Sequence, residues 1–476
     1  MFDTLIAGGR VFNGGALVGA DVAIADGRIA AIGRDLGAAR ETIAAQGHLV
    51  LPGGVDSHCH IEQVSGAGIL NADTWESATR SAAFGGTTTV VSFAAQHAGQ
   101  RLTEVVADYE ALAARGALID HAFHLIVADT SGPALTEDLP LLMGKGHRSI
   151  KVFTTYPKVR MDDEQVLDLL MVARDCGGIL CVHAENDGIL RWASRRLQAS
   201  GRDAPRFHPA SHPAAAEIEA LSRMAVLAEF TGQPIMLFHV STAEGAAIVR
   251  AARGRGAPVI AETCPHYLLM DVSEVEGDAR HAAARICSPP QRGAADRKAL
   301  WQALRLGDIT ALTSDHAPYR LDASGKFAAG PDAPFPRIAN GMPGLETRLP
   351  LMFDAMVTRG QLDLAAFVTL TASRPAEIFG LTGKGRIAPG FDADIAIWDP
   401  AREIIYGADD LHDNTGYNPW EGRKVVGAPV TVLSRGQCVI RDGSLAGVPG
   451  HGRRVPMEVS VDMRPSAPSE GAMLTD

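Results

Sequence analysis

Gly53-Gly54-Val55-Asp56-Ser57-His58-Cys59-His60 follows the apolar run His48-Leu49-Val50-Leu51, and the pair of histidines at its end decides how the chain is read. Residues at i and i+2 share one face of a strand, so both imidazoles can reach one metal ion where a strand stops. Four later apolar runs carry further metal-competent side chains. Ser149-Ile150-Lys151-Val152-Phe153 holds a lysine, and Ile179-Leu180-Cys181-Val182-His183 and Ile235-Met236-Leu237-Phe238-His239 each end on a histidine. Ile309-Thr310-Ala311-Leu312-Thr313-Ser314-Asp315 ends on an acid. Hydrophobic runs that finish in polar residues resemble barrel strands opening onto an active site. Imidazoles, a carboxylate and a modified lysine form a donor set suited to zinc or a similar divalent ion.

Outward from this core the pattern alternates. Strand-like runs fall around 50–60, 87–94, 121–128, 149–156, 179–184, 234–241, 257–263 and 309–315. Helix-like spans separate them, among them Asp73–Phe84, Thr103–Arg115, Asp162–Asp175, Ala214–Thr231, Ala243–Arg253 and Arg292–Leu306. Eight strands alternating with helices predict an α/β fold, a (β/α)8 TIM barrel over residues 51–380. Residues 1–50 read instead as short strands with turns, including the hairpin signal Asp26-Gly27. The β pattern returns over 381–445, with Ile395-Ala396-Ile397-Trp398, Val430–Leu433 and the turn Arg441-Asp442-Gly443. Both ends are expected to join in one small β-sandwich beside the barrel. Residues 446–476, rich in Pro, Gly, Ser and Arg, read as an extended tail able to reach a neighbouring subunit.

The composition agrees with a large enzyme-like core. Of 476 residues 46% are hydrophobic, and 50 glycines and 27 prolines suit many short loops. A net charge of −11 argues against a nucleic-acid or anionic-membrane partner. No stretch has the length of a membrane span, and Met1–Ile6 lacks the basic start of a signal peptide. Six scattered cysteines form no Cys-x-x-Cys pair, which points to a reducing cytoplasm.

Taken together, the ordered motifs resemble the cyclic amidohydrolases, most closely the dihydropyrimidinase/hydantoinase branch. They include Pro52–His60, Ala83–Thr89, Lys151-Val152-Phe153 with Tyr156, and Val182-His183-Ala184-Glu185-Asn186. Further on come His239-Val240-Ser241, Glu262–Leu268, Cys287-Ser288-Pro289-Pro290, Thr313–His316 and Asn340–Glu346. The resemblance implies two divalent metal ions per chain, Zn2+, at the barrel mouth. It assigns His58, His60 and Asp315 to one and His183 and His239 to the other, with N6-carboxylated Lys151 bridging both. A plain ammonium cannot ligate a cation, whereas a lysine inside an apolar strand has a lowered pKa and a neutral amine able to add CO2.

The same resemblance implies hydrolysis of the ring amide of dihydropyrimidines or 5-substituted hydantoins to N-carbamoyl amino acids. Tyr156 would stabilise the oxyanion, Asp315 would move the proton, and Tyr156 together with backbone groups at Ser288 and Asn340 would hold the ring. A small cyclic amide is the expected partner, in a homotetramer or homodimer. Allantoinase-type and imidase-type hydrolysis need the same site. A dihydroorotase is disfavoured because Glu62 stands where those enzymes carry a carboxylate-binding arginine, and would repel the substrate carboxylate. A non-catalytic scaffold is disfavoured because the whole ligand set is kept. Each candidate also has a plainer reading: strand-end histidines, a salt-bridged lysine, a helix-capping Asp315, a packing Tyr156. The chain departs from its relatives at Ser65-Gly66-Ala67-Gly68, at Ser92–His97 and at His212. Ring size, substituent and enantiomer therefore stay open.

Overall fold

The structure, a computed structural model, describes residues 1–66 and 68–466. Eight strands form one sheet: Gly54–Asp56, Thr87–Ala95, Asp120–Ile126, Ser149–Phe153, Ile179–His183, Ile235–Leu237, Val259–Thr263 and Ala311–Leu312. They lie in chain order, each parallel to the next. Helices on the outside return the chain between them, as the alternation predicts. Thr74 and Ser77 cap Trp75–Phe84 reciprocally, and Asp162 and Gln165 do the same for Asp163–Cys176, which stops at left-handed Gly177.

The first and last strands close the barrel through specific groups. Cys59 bridges His316, the His60 N–H donates to the His316 carbonyl at 2.7 Å, and the Ser314 N–H donates to Asp56 Oδ1 at 3.1 Å. Fully buried Arg348 spans the seam. Its Nη1 donates to the carbonyls of Val55 and Leu312, and its Nε lies 3.1 Å from Asp56.

The sixth and eighth strands are shorter than the runs 234–241 and 309–315 suggest. His239 and Asp315 take left-handed φ values of 43° and 46°, so the ladder stops before them and their side chains turn off the strand direction. Gly53 leads into the first strand where a Cβ would overlap the Thr88 side chain.

The two chain ends meet in a second, nine-stranded mixed sheet. Leu49–Pro52 runs antiparallel to Ile395–Ile405, which joins the N-terminal strands Phe2–Asn13, Ala16–Ala25 and Arg28–Gly33 to the C-terminal strands Lys424–Ser434 and Gln437–Arg441. The part expected as a sandwich is thus continuous through hydrogen bonds and encloses its own apolar cluster, with Ile6, Val11, Val22, Ile24, Val50, Ile395 and Leu433. Asp26-Gly27 and Asp442-Gly443 each turn a hairpin with both residues at positive φ.

Past this sheet the chain straps its own barrel. N–H groups of Gly452, Val455, Met457 and Ser466 donate to carbonyls of Ala117, His121, Gly146 and Gly232. These residues bond to their own barrel. Residues 467–476 of the expected tail lie outside the described residues. Among the described residues no helix is long and apolar enough to cross a membrane.

Candidate active site

The C-terminal ends of the barrel strands bring the first donor set together. His58 Nε2 and His60 Nε2 lie 3.1 Å and 3.6 Å from the same Asp315 oxygen. The three ligand atoms lie within 4.8 Å of one another. The far ring nitrogens are occupied: His58 Nδ1 by Glu262 Oε1, and His60 Nδ1 by Gln63 Oε1 at 2.7 Å. Acceptors there favour N–H at Nδ1 and leave the Nε2 lone pairs facing Asp315. Burial holds the His58 imidazole well below its ordinary pKa, so it is neutral and able to ligate. These residues fit a divalent metal ion.

A second pair faces the first. His183 Nδ1 and His239 Nε2 lie 2.9 Å apart, and burial lowers the pKa of both imidazoles. Behind His183 stands Glu185, with Oε2 2.9 Å from His183 Nε2. Burial pushes the Glu185 carboxyl up, but His212 and His183 outweigh it and hold the group well below the ordinary carboxylate range. Glu185 also accepts from Ser288 Oγ at 2.6 Å and lies 3.0 Å from His212 Nδ1. One carboxylate therefore joins a candidate metal ligand to a candidate substrate-binding residue.

Lys151 is 1% exposed, and among the described residues no carboxylate pairs with its Nζ. The amine sits over the rings of Phe238, Phe153 and Phe93, 4.0, 4.9 and 5.8 Å from their centroids. Burial pushes its pKa down to about 8, which leaves a neutral fraction near neutral pH. His58, His183 and His239 all lie near enough to feel its charge.

These groups line a cleft of about 500 Å3, together with Tyr156, Ser288, Asn340, Ser65 and Gly66. Tyr156 has φ 66°, and Asn340 Nδ2 donates to its hydroxyl at 3.5 Å. Held at a left-handed turn, the phenol is aimed by backbone that the surrounding packing must support. Burial raises its pKa, so the hydroxyl keeps its proton as a donor. Ala67 of the small loop lies outside the described residues.

One reading changes with the tertiary structure. Glu62 does not face the cleft. Its carboxylate accepts the Trp75 N–H at 3.2 Å and lies 3.8 Å from Arg115, so repulsion of a substrate carboxylate is not the work of this side chain. His316 is held between Asp73, 2.9 Å away, and the Gly344 N–H, clear of the donor set. Glu185 and Glu262 were motif residues without a role. The signal was present, because a carboxylate inside Val259-Ile260-Ala261-Glu262-Thr263 needs a partner, and Glu185 is two residues from His183.

Residues 49–439 match the amidohydrolase family. A D-hydantoinase of Streptomyces coelicolor is 39% identical over 95% of this chain and 97% of its own length. One of Ralstonia pickettii is 39% identical over 95% and 98%. The crystal structure of a dihydropyrimidinase from Brevibacillus agri superposes with a TM-score of 0.92 at 35% identity, covering 96% of this chain and 99% of that one. The chain belongs to the amidohydrolase family, as a hydrolase of the hydantoinase and dihydropyrimidinase type.

Proposed function

We propose that the cleft opens the ring amide of 5-substituted hydantoins or dihydropyrimidines to give N-carbamoyl amino acids. The observation that carries this reading is Lys151: a buried amine without an acid partner among the described residues, close to both imidazole groups. His58, His60 and Asp315 would hold one zinc ion, His183 and His239 a second, and N6-carboxylated Lys151 would bridge them. Bound there, such cations would polarise a carbonyl and lower the pKa of water. Tyr156 donates its hydroxyl hydrogen bond to the oxygen that gains charge. Asp315 accepts the water proton on the oxygen turned away from His58 and His60, and returns it to the leaving ring nitrogen. Ser288 and Asn340 hold the ring amide. The active chain is a cytoplasmic homotetramer or homodimer, the assembly implied by the family resemblance.

The test is a substrate panel on zinc-loaded protein: dihydrouracil, hydantoin, 5-substituted hydantoins, allantoin, dihydroorotate and succinimide. Turnover should be fastest for a hydantoin or dihydrouracil, with an N-carbamoyl amino acid as product. Preference for allantoin, dihydroorotate or succinimide would replace the reading, and light scattering reports the assembly.

A further inference from the structure

Lys326 is buried to 0% exposure, yet among the described residues it has no carboxylate partner. Its Nζ donates to the Ile286 carbonyl and to the Ala339 carbonyl, each at 3.0 Å. Ile286 lies two residues before Ser288, and Ala339 directly precedes Asn340. The same Ile286 carbonyl accepts the Gly341 N–H at 3.0 Å. Two loops far apart in sequence are thus tied at one point, just behind the two side chains that face the cleft. A tight turn presents the lysine: its N–H donates to the Arg320 carbonyl at 2.8 Å, and a Cβ on Gly325 would overlap that carbonyl.

Around this point lies an apolar cluster that includes Ile286, Leu321, Phe327 and Ile338. Burying an amine there costs more than burying a methionine of similar length. Its two hydrogen bonds offset that cost, and what the lysine adds that a methionine cannot is geometry, because it fixes two carbonyls at one point. Charged or neutral, the amine has at least two N–H donors, enough for both carbonyls.

We propose that Lys326 is a positioning residue that sets the spacing between the Ser288 and Asn340 loops, and so the width of the slot that grips the ring amide. This rests on the reading that Ser288 and Asn340 hold the substrate. Lys326 itself does not line the cleft. Its loss should weaken ring binding in ground state and transition state alike, and so raise KM with little change in kcat.

The experiment compares Lys326→Met and Lys326→Gln with wild type, all zinc-loaded, on the best ring substrate of the panel and on its analogue methylated at the ring amide nitrogen. Lys326→Met is expected to raise KM about tenfold, with kcat within about twofold. Zinc content should be unchanged, and the thermal midpoint should fall only modestly, because the Ala339 carbonyl loses its donor while the Ile286 carbonyl keeps the Gly341 N–H. Lys326→Gln, which keeps a donor, should fall between and covers a methionine variant that fails to fold. If the N-methylated analogue binds wild type more weakly than the parent ring but both Lys326 variants leave KM unchanged, the inference is overturned and the slot reading stands. If wild type binds the N-methylated analogue as tightly as the parent ring, the slot reading fails and the inference with it. Loss of zinc or of thermal stability together with kcat would show a general structural role and also overturn it.

Discussion

Replacing Lys384 by methionine should separate stability from catalysis. Lys384 lies where the barrel meets the mixed sheet, with a side chain 1% exposed. Its Nζ donates to Asp120 Oδ2 at 2.6 Å and Asp394 Oδ2 at 2.8 Å, and lies 3.0 Å from Asp392. Asp120 opens the third barrel strand, and Asp394 directly precedes Ile395–Ile405. Lys384→Met keeps much of the stem volume and leaves two buried acids without their cation. Removing one partner of a buried ion pair costs about 3–5 kcal/mol. The lower end applies, because Asp120 keeps Arg435 Nε at 3.0 Å and the Arg453 N–H at 2.8 Å, and Asp394 keeps the Arg435 N–H at 2.7 Å. Urea unfolding at neutral pH should therefore show a loss of about 3 kcal/mol. Both kcat and zinc content should stay near wild type, since the network lies at the strand ends opposite the cleft. Burial pushes the Lys384 pKa down, but Asp394, Asp120 and Asp392 outweigh it and hold the group above its ordinary value. A raised lysine contributes in full below its unfolded pKa of about 10.4 and is lost only as pH rises through the folded value. The gap between wild type and variant should thus stay flat between about pH 6 and about pH 9. A loss under about 1 kcal/mol, or a gap that closes in that window, would refute the reasoning.

Asp315→Asn should retain part of its zinc by elemental analysis while kcat falls by ~10²-fold or more, the scale of lost proton transfer. A variant with full zinc and near-normal kcat would move the base elsewhere. If the proposed two-zinc site is right, Lys151→Ala should bind less than two zinc ions per chain and lose most activity, with partial return on adding a short carboxylic acid. An unmodified Lys151 by intact mass in active, zinc-replete protein would contradict the carbamate. Glu262→Gln weakens the acceptor on His58 Nδ1, so chelator competition should show zinc held about 10–100-fold less tightly. Unchanged retention would mean that Glu262 only fills the core.

The barrel was legible because its signals are local. Apolar runs of strand length, the helix-like spans between them and the turn signal at Asp26-Gly27 each depend on a few adjacent residues. His58 and His60 were legible for the same reason, since strand period two puts them on one face. What held those histidines was not. Glu262 meets His58 across 204 positions of sequence, and Arg348 reaches Val55 across 293. No periodicity encodes such pairings, which form only when the barrel closes. Glu62 shows the converse, a residue whose place in a motif suggested a substrate role while its left-handed φ of 51° turned the carboxylate onto the Trp75 N–H. Lys326 is as plain in the sequence as any surface lysine, and only the folded loops reveal that it is buried between two carbonyls. The sequence by itself determined strands, helices and the residue types of the donor set. The tertiary structure alone decided which charges are buried, what they face and how the cleft is held, because those depend on contacts between segments distant in the chain.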